Sequence, residues 1–453
     1  MTDDELPEEL SERPFTAPDP MTQGYFQAPR PPEYRYAVMY TGEYETLWDG
    51  TAVAVRAHTR ALSQAGVPVL LRSFTGTVVD ENGAARPAHS VKVSSQVERE
   101  IGPLELTTAE HYFPIIKHLV VRDADHLKRV VIPQGAIESD FDKLVKMRQW
   151  IYDSTIVYTV WERDRVDPAI AKGLSRVAEC WVPSHANRDM LRRSGVPEEK
   201  IFVVPHPYDP QDPILKLQRR PADTGWRKFY SIGRWEPRKG YVELIRAFLS
   251  AFSPHDQVVL TIKYTGGKWP GYPTPDEVIE RCSENHDGGW TRDKIRERVR
   301  LIEGRYPRAA ILELHFRNNI YVSSSHGEAW NLPAFEACLA GNQVVYVPSG
   351  GVDDFVGNGH VAVTPDGDEP VPSSYGWESD ARWVSFTTHQ LADALRKAQG
   401  FSSHDLSVTK GIDLRAYSLE AVGRLMRTRV LEVAAKRSDA ALYYVDRCKA
   451  STP

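Results

Sequence analysis

From Tyr36 onward the chain alternates short β-prone apolar runs with helix-length amphipathic segments, and this alternation constrains the fold more than any other feature. Tyr36-Ala37-Val38-Met39-Tyr40 predicts a strand. A polar loop through Gly42 and Gly50 follows, then a helix from about Thr51 to Gln64 that Gly66 and Pro68 stop. The pattern recurs with strands at 69–71, 155–159, 179–182 and 201–205 and helices at 168–177 and 186–194. A Pro- and Asp-rich segment, 206–223, reads as a linker. The unit then repeats: strands at 228–233, 258–262, 320–322 and 343–347, helices at 241–252, 292–301 and 333–340. Residues 265–289 are rich in Gly and Pro and read as a long surface loop, and a final helix spans about 414–436. Apolar strands alternating with helices argue for parallel, doubly wound sheets, here two in tandem facing across a cleft.

The 453 residues suit two or three domains. The expected division is a Pro-rich acidic tail at 1–32, too poor in apolar residues to order itself, one α/β domain at 33–205, the linker, a second α/β domain at 224–412, and a C-terminal helix and tail at 413–453. A formal net charge of −5 without basic blocks disfavours an obligate nucleic-acid binder. The four cysteines lie far apart, with no CxxC pair to suggest a zinc site, and read as free thiols. No run is long and apolar enough for a membrane span, and the acidic start is unlike a secretory signal, so the expected location is the cytoplasm. GxGxxG, GxxxxGK[ST], HExxH and GxSxG are all missing from the sequence, so nothing supports a dinucleotide, P-loop, zinc-protease or serine-hydrolase site.

Two segments carry chemistry. Gly233-Arg234-Trp235-Glu236-Pro237-Arg238-Lys239-Gly240 turns from a strand into a helix, where Arg grips phosphate bidentately, Lys adds a point charge, and the helix N-terminus adds partial positive charge. Glu328-Ala329-Trp330-Asn331-Leu332 leads into a helix capped by Asn331 with Pro333 in its first turn. Glu328 then stands on the loop before the helix, and Glu336 on its early turns.

These segments resemble the GR-x4-KG and E-x7-E signatures of glycosyltransferase family 4, retaining enzymes of GT-B architecture. The stretches 161–165, 181–187 and 203–207 follow the pattern of that family's first domain. The resemblance implies two Rossmann-like domains, an acceptor domain first and a nucleotide-sugar domain second, with the C-terminal helix packing back on the first. It implies that Gly233, Arg234 and Lys239 hold the donor diphosphate and stabilise the leaving group, that Glu328 contacts the donor sugar, and that Glu336 accepts from the ribose hydroxyls. Ala329, Trp330, Asn331 and Leu332 would line the donor pocket. Ala329 and Asn331 replace two glycines usual in the family.

Gly42 would approach the donor from the first domain, and the amides of Gly350 and Gly351 would cradle phosphate. A first-domain histidine often lines the acceptor side in this family. The corresponding stretch here is Tyr158-Thr159-Val160-Trp161-Glu162, which makes Glu162 a candidate active-site residue. His206 and Lys263 are weaker candidates near the cleft. No metal or other cofactor is expected beyond a nucleoside diphosphate sugar as donor substrate, and the acceptor is left open among a glycan, a protein and a modified nucleobase. A GT-B epimerase and a non-catalytic nucleotide-sugar binding protein are the alternatives.

Overall fold

The computed structural model describes residues 33–44, 50–73, 101–121, 123–131, 149–216, 225–266, 268–284, 289–375, 380–400, 414–436 and 438–450, with short pieces at 13–14, 77–79, 85–87 and 92–93. Most of the predicted tail, linker residues 217–223 and residues 401–413 lie outside these. Arg13–Pro14, within the tail, pairs antiparallel with Lys92–Val93.

The first sheet contains β1 (Tyr34–Gly42), β2 (Val69–Ser73), β3 (Ala109–His118), β4 (Thr155–Tyr158), β5 (Glu179–Val182) and β6 (Ile201–Val203), in the order β2-β1-β3-β4-β5-β6. The second contains β7 (Arg227–Arg234), β8 (Val258–Thr265), β9 (Val299–Glu303), β10 (Ile320–Ser323), β11 (Gln343–Tyr346) and β12 (Val361–Ala362), in the order β9-β8-β7-β10-β11-β12. Every pairing within both sheets is parallel. Helices cover both faces, so strands such as β8 (VVLTIKYT) are buried on successive residues rather than alternate ones.

Each sheet has a point where strand order reverses, between β1 and β3 in the first and between β7 and β10 in the second. Open α/β sheets bind ligands in the crevice beyond the carboxyl ends of such strands. Helix α1 (Gly50–Gln64) leaves β1, α2 (Tyr241–Ala251) follows β7, and α3 (Leu332–Leu339) follows β10. Helix α4 (Leu419–Ala434) returns to the first sheet, where Val422, Met426 and Val430 join the core of Tyr36, Val38 and Tyr40. The chain crosses between the halves twice, and the crossings are tied together: the Tyr208 and Leu419 amides donate to the Tyr417 and Tyr208 carbonyls.

Three sequence expectations are corrected. The predicted helix at 292–301 ends at Arg298, and Val299–Glu303 is strand β9. The predicted loop at 265–289 contains the helix Pro275–Glu284, which buries Val278 and Ile279. The final helix at 414–436 is two pieces, a 3-10 turn at Leu414–Tyr417 and helix α4, and a further helix, Ser438–Ala450, follows beyond it. Among the described residues no helix is long and apolar enough to cross a membrane. Cys180, Cys282 and Cys338 are buried free thiols.

Candidate active site

The loop after β7 and the loop after β10 meet at the second switch point. The His326 amide donates to the Arg238 carbonyl at 2.7 Å, and Ser324 Oγ donates to the Lys239 carbonyl at 2.7 Å. This stitching brings Lys239 Nζ to 2.5 Å from Glu328 Oε1 and Arg238 Nη1 to 3.3 Å from the same oxygen. Burial pushes the Glu328 carboxyl up, but Lys239 and Arg238 outweigh it and leave its pKa below the ordinary carboxylate value. Glu328 is therefore an anion at neutral pH.

Arg234, at the end of β7, is exposed and makes no side-chain hydrogen bond or ion pair among the described residues. It is free to meet a ligand. Gly233 precedes it, and Tyr241 Oη lies 2.5 Å from where a Cβ would sit. Asn331 caps α3 through its Oδ1, which accepts from the Ala334 amide, while its Nδ2 donates to Ser323 Oγ. Its φ of 73° lies in the left-handed region, where Asn is among the best tolerated residues after Gly. Asn331 can therefore stand where the family usually has Gly.

Ala329 is buried. Trp330 is buried in an aromatic group with Phe335, Phe355, Tyr417 and the edge of His206, and its Nε1 has no partner among the described residues. Leu332 faces the start of α1, its Cδ1 3.4 Å from the Cβ position of Gly50. Glu336 accepts from Arg308 and lies 3.3 Å from His315 Nε2. Burial raises its pKa, but Arg308 and His315 reverse this and hold it at about 2. Arg308 also binds Asp212 of the linker at 3.0 Å, so Glu336 is fixed to the crossing between domains.

Gly351 differs from the sequence expectation. The Gly351 amide donates to the Glu328 carbonyl at 3.0 Å, and a Cβ on Gly350, whose φ is 149°, would fall 1.9 Å from that oxygen. These glycines let the loop lie against the carboxylate loop, and the Gly351 amide is not free for phosphate. Lys263, at the end of β8, is buried close to Tyr306, and burial lowers its pKa.

Glu162 arrives from the first domain. Its Oε2 lies 3.1 Å from Arg238 Nε, and its backbone carbonyl lies against Gly327. Burial raises its pKa, an effect that Arg238 partly offsets. Sequence reading named neither Arg238 nor Glu236 as site residues, although both are buried and paired at 2.7 Å.

At the first switch point, Gly42 ends β1 beside Val55 and His118. Around it gather Tyr40, His58, His118, Tyr158 and His206. Tyr40 Oη is 2.8 Å from His118 Nδ1, and the His58 ring lies 5.6 Å from His118 and 5.2 Å from His206. Burial lowers the pKa of all three histidines, that of His58 to about 4. Of these, sequence reading weighed only His206. Among the described residues no group of three or more His, Cys, Asp or Glu is placed to hold a metal ion.

No protein-family model and no curated protein sequence matches the chain. Solved structures do match. The Anabaena protein HepE, in complex with UDP and glucose, superposes with a TM-score of 0.54 at 13% identity, covering 87% of this chain and 99% of that one. The α,α-trehalose 6-phosphate synthase of Burkholderia multivorans gives 0.55 at 13%, covering 89% and 99%. The sucrose-phosphate synthase of Thermosynechococcus elongatus gives 0.52 at 15%, covering 88% and 100%. With its two parallel six-stranded sheets, the chain has the GT-B fold, two Rossmann-like domains facing across a cleft.

Proposed function

We propose that the protein is a retaining glycosyltransferase that moves a sugar from a nucleoside diphosphate donor to an acceptor hydroxyl. The observation that carries this reading is the meeting of Lys239 and Glu328 at the second switch point, with Arg234 exposed at the end of β7: a guanidinium and an ammonium for a diphosphate, and an ionised carboxylate for sugar hydroxyls. HepE, of the same fold, holds UDP and glucose, which makes a uridine diphosphate sugar the first donor to test.

In the proposed reaction Arg234 and Lys239 bind the diphosphate and stabilise the charge that grows as the bond from the sugar's anomeric carbon to the phosphate oxygen breaks. The acceptor oxygen bonds to that carbon from the same face, and its proton passes to the departing phosphate oxygen. Lys239 must turn from Glu328 toward phosphate for this, which frees a Glu328 oxygen for the sugar. Glu336, with one lone pair per oxygen still open, accepts from the ribose. We assign the acceptor to the domain at 33–205, the donor to that at 224–412, and the hinge to the linker 206–223, which links Arg60 of α1, through Asp209, with Arg308, through Asp212. A glycan, a protein or a modified nucleobase can serve as acceptor, and the assigned location is the cytoplasm.

The test is release of nucleoside diphosphate from a panel of UDP-, GDP-, ADP- and TDP-sugars, with candidate acceptors added in turn. Release of one nucleotide that Glu328→Ala abolishes supports the reading. An isomerised sugar formed without acceptor would favour an epimerase instead.

A further inference from the structure

Arg238 is the most enclosed cation at the site, and the proposed chemistry leaves it without a role. Its guanidinium meets Glu236 Oε1 at 2.7 Å, Glu328 Oε1 at 3.3 Å and Glu162 Oε2 at 3.1 Å, and Nη1 donates to the Gly327 carbonyl at 2.8 Å. A guanidinium so engaged has little left for phosphate. Burial alone would lower its pKa, but Glu162, Glu236 and Glu328 raise it instead, so it stays charged.

Two of its carboxylates belong to its own domain, and the third, Glu162, comes from the other. The backbones approach at the same place: a Cβ on Gly327 would lie 2.1 Å from the Glu162 carbonyl oxygen. Glu328, the next residue, is thus held between a cation on its own domain and a strand-end loop of the other. Other cross-domain contacts accompany it: the Asp164 amide donates to the Arg382 carbonyl at 3.0 Å, Asp164 Oδ1 accepts from the Arg382 amide at 2.7 Å, and His185 Nδ1 meets Asp354 at 2.9 Å. Arg165 pairs with Asp380 at 2.6 Å, but both side chains are solvated, and exposed pairs contribute little. The Arg238 end of its contact is buried while Glu162 is partly exposed, so removing Glu162 leaves a buried guanidinium with one partner fewer.

Five groups converge here, Arg238 and Lys239 against Glu162, Glu236 and Glu328, so that carboxyl groups outnumber cations. A diphosphate adds negative charge and draws Lys239 away from Glu328. Arg238 then remains as the cation that keeps Glu328 ionised and aimed.

We propose that Arg238 is a positioning residue that couples closure of the two domains to the orientation of Glu328, and that Glu162 is the first-domain half of this latch. The proposal rests on the reading of the site as a nucleotide-sugar site, and it moves Glu162 from direct chemistry to a contact made through Arg238. Lysine cannot replace Arg238, because an ammonium lacks the planar fork that reaches separate carboxylates.

The test uses Glu162→Gln, Arg238→Lys and the double variant of the full chain. Each single change is expected to lower kcat by about 10–150-fold, the effect of losing one close contact to a buried charge. The donor KM should stay within about 3-fold, because binding of the diphosphate is not what is lost. The double variant should be no worse than the poorer single one, the signature of a shared interaction. Asp380→Asn at the rim is the control, expected to leave both constants within about 2-fold.

Additive losses, or a raised KM with unchanged kcat, would overturn the proposal. Small-angle scattering without ligand gives an independent arm: Glu162→Gln, which keeps the shape of the side chain, should enlarge the radius of gyration, and an unchanged radius overturns the latch. Failure of the wild type to turn over any nucleotide sugar would sink the functional reading instead, and the scattering result would still decide the latch.

Discussion

The two switch points occupy equivalent places in two similar sheets and hold opposite chemistry. Beyond β7 and β10 stand Arg238, Lys239, Glu236 and Glu328, joined by close ion pairs, with Arg234 exposed beside them. Beyond β1 and β3 stand Tyr40, His58, His118, Tyr158 and His206, rings packed at 4.2–6.0 Å and kept neutral by burial. The parallel sheet supplies a crevice in either case. The side chains placed at the strand ends decide what the crevice can hold: an anionic donor in the second domain, an uncharged group facing it in the first.

The largest effect is expected where charge develops. Lys239→Met should reduce nucleotide release by about 10²–10³-fold, the usual cost of deleting one preorganised donor at a developing oxyanion, and steady-state kinetics on the identified donor would check it. A loss below about 3-fold would break the comparison, because the charged crevice would then not be the reactive one.

Acid should act on the other crevice. A histidine whose folded pKa lies below its unfolded value takes up its proton more readily in the unfolded chain, so its contribution is complete above about pH 6.5 and is lost as pH falls toward its folded pKa. For His58, with a folded pKa of about 4, the loss is on the order of 3 kcal/mol. Thermal unfolding should shift downward between about pH 7.5 and pH 5, and His58→Phe should flatten the dependence. A melting temperature that ignores this range would mean the rings are solvated.

The smallest effect sharpens the donor loop. Asn331→Ala removes a cap and places a Cβ-bearing residue without a capping oxygen at φ 73°, for a cost of about 1–2 kcal/mol. Asn331→Gly keeps the backbone conformation and should cost only a few tenths. Denaturant melts of the two variants separate backbone strain from loss of the capping bond.

The alternation of strands and helices was legible because parallel strands buried on both faces read as continuous apolar runs, as in β8 and β11. Strand β9 was not, because Val299-Arg300-Leu301-Ile302-Glu303 continues a polar helical pattern from Arg292 without a stop signal. Arg234, Lys239 and Glu328 were singled out by the resemblance of their loops to family signatures, not by spacing alone. Arg238 and Glu236 sit in the same loop yet were not singled out, since their partners Glu162, some 76 residues earlier, and Glu328 come from distant parts of the sequence. His58 and His118 lie 60 residues apart and meet only when α1 packs beside the end of β3. Gly351 was read as part of a phosphate cradle because sequence cannot show that its amide donates to the Glu328 carbonyl.

Calorimetric titration of UDP into the wild type, Arg234→Ala, Lys239→Met and His118→Phe tests the central claim most directly. The expected result is a loss of at least about 10-fold in affinity for each charge deletion, with His118→Phe within about 2-fold of wild type, since one charged hydrogen bond to phosphate is worth about 1.5–3 kcal/mol. Equal binding by the wild type and both charge variants, or a loss confined to His118→Phe, would contradict the placement of the donor at the second switch point.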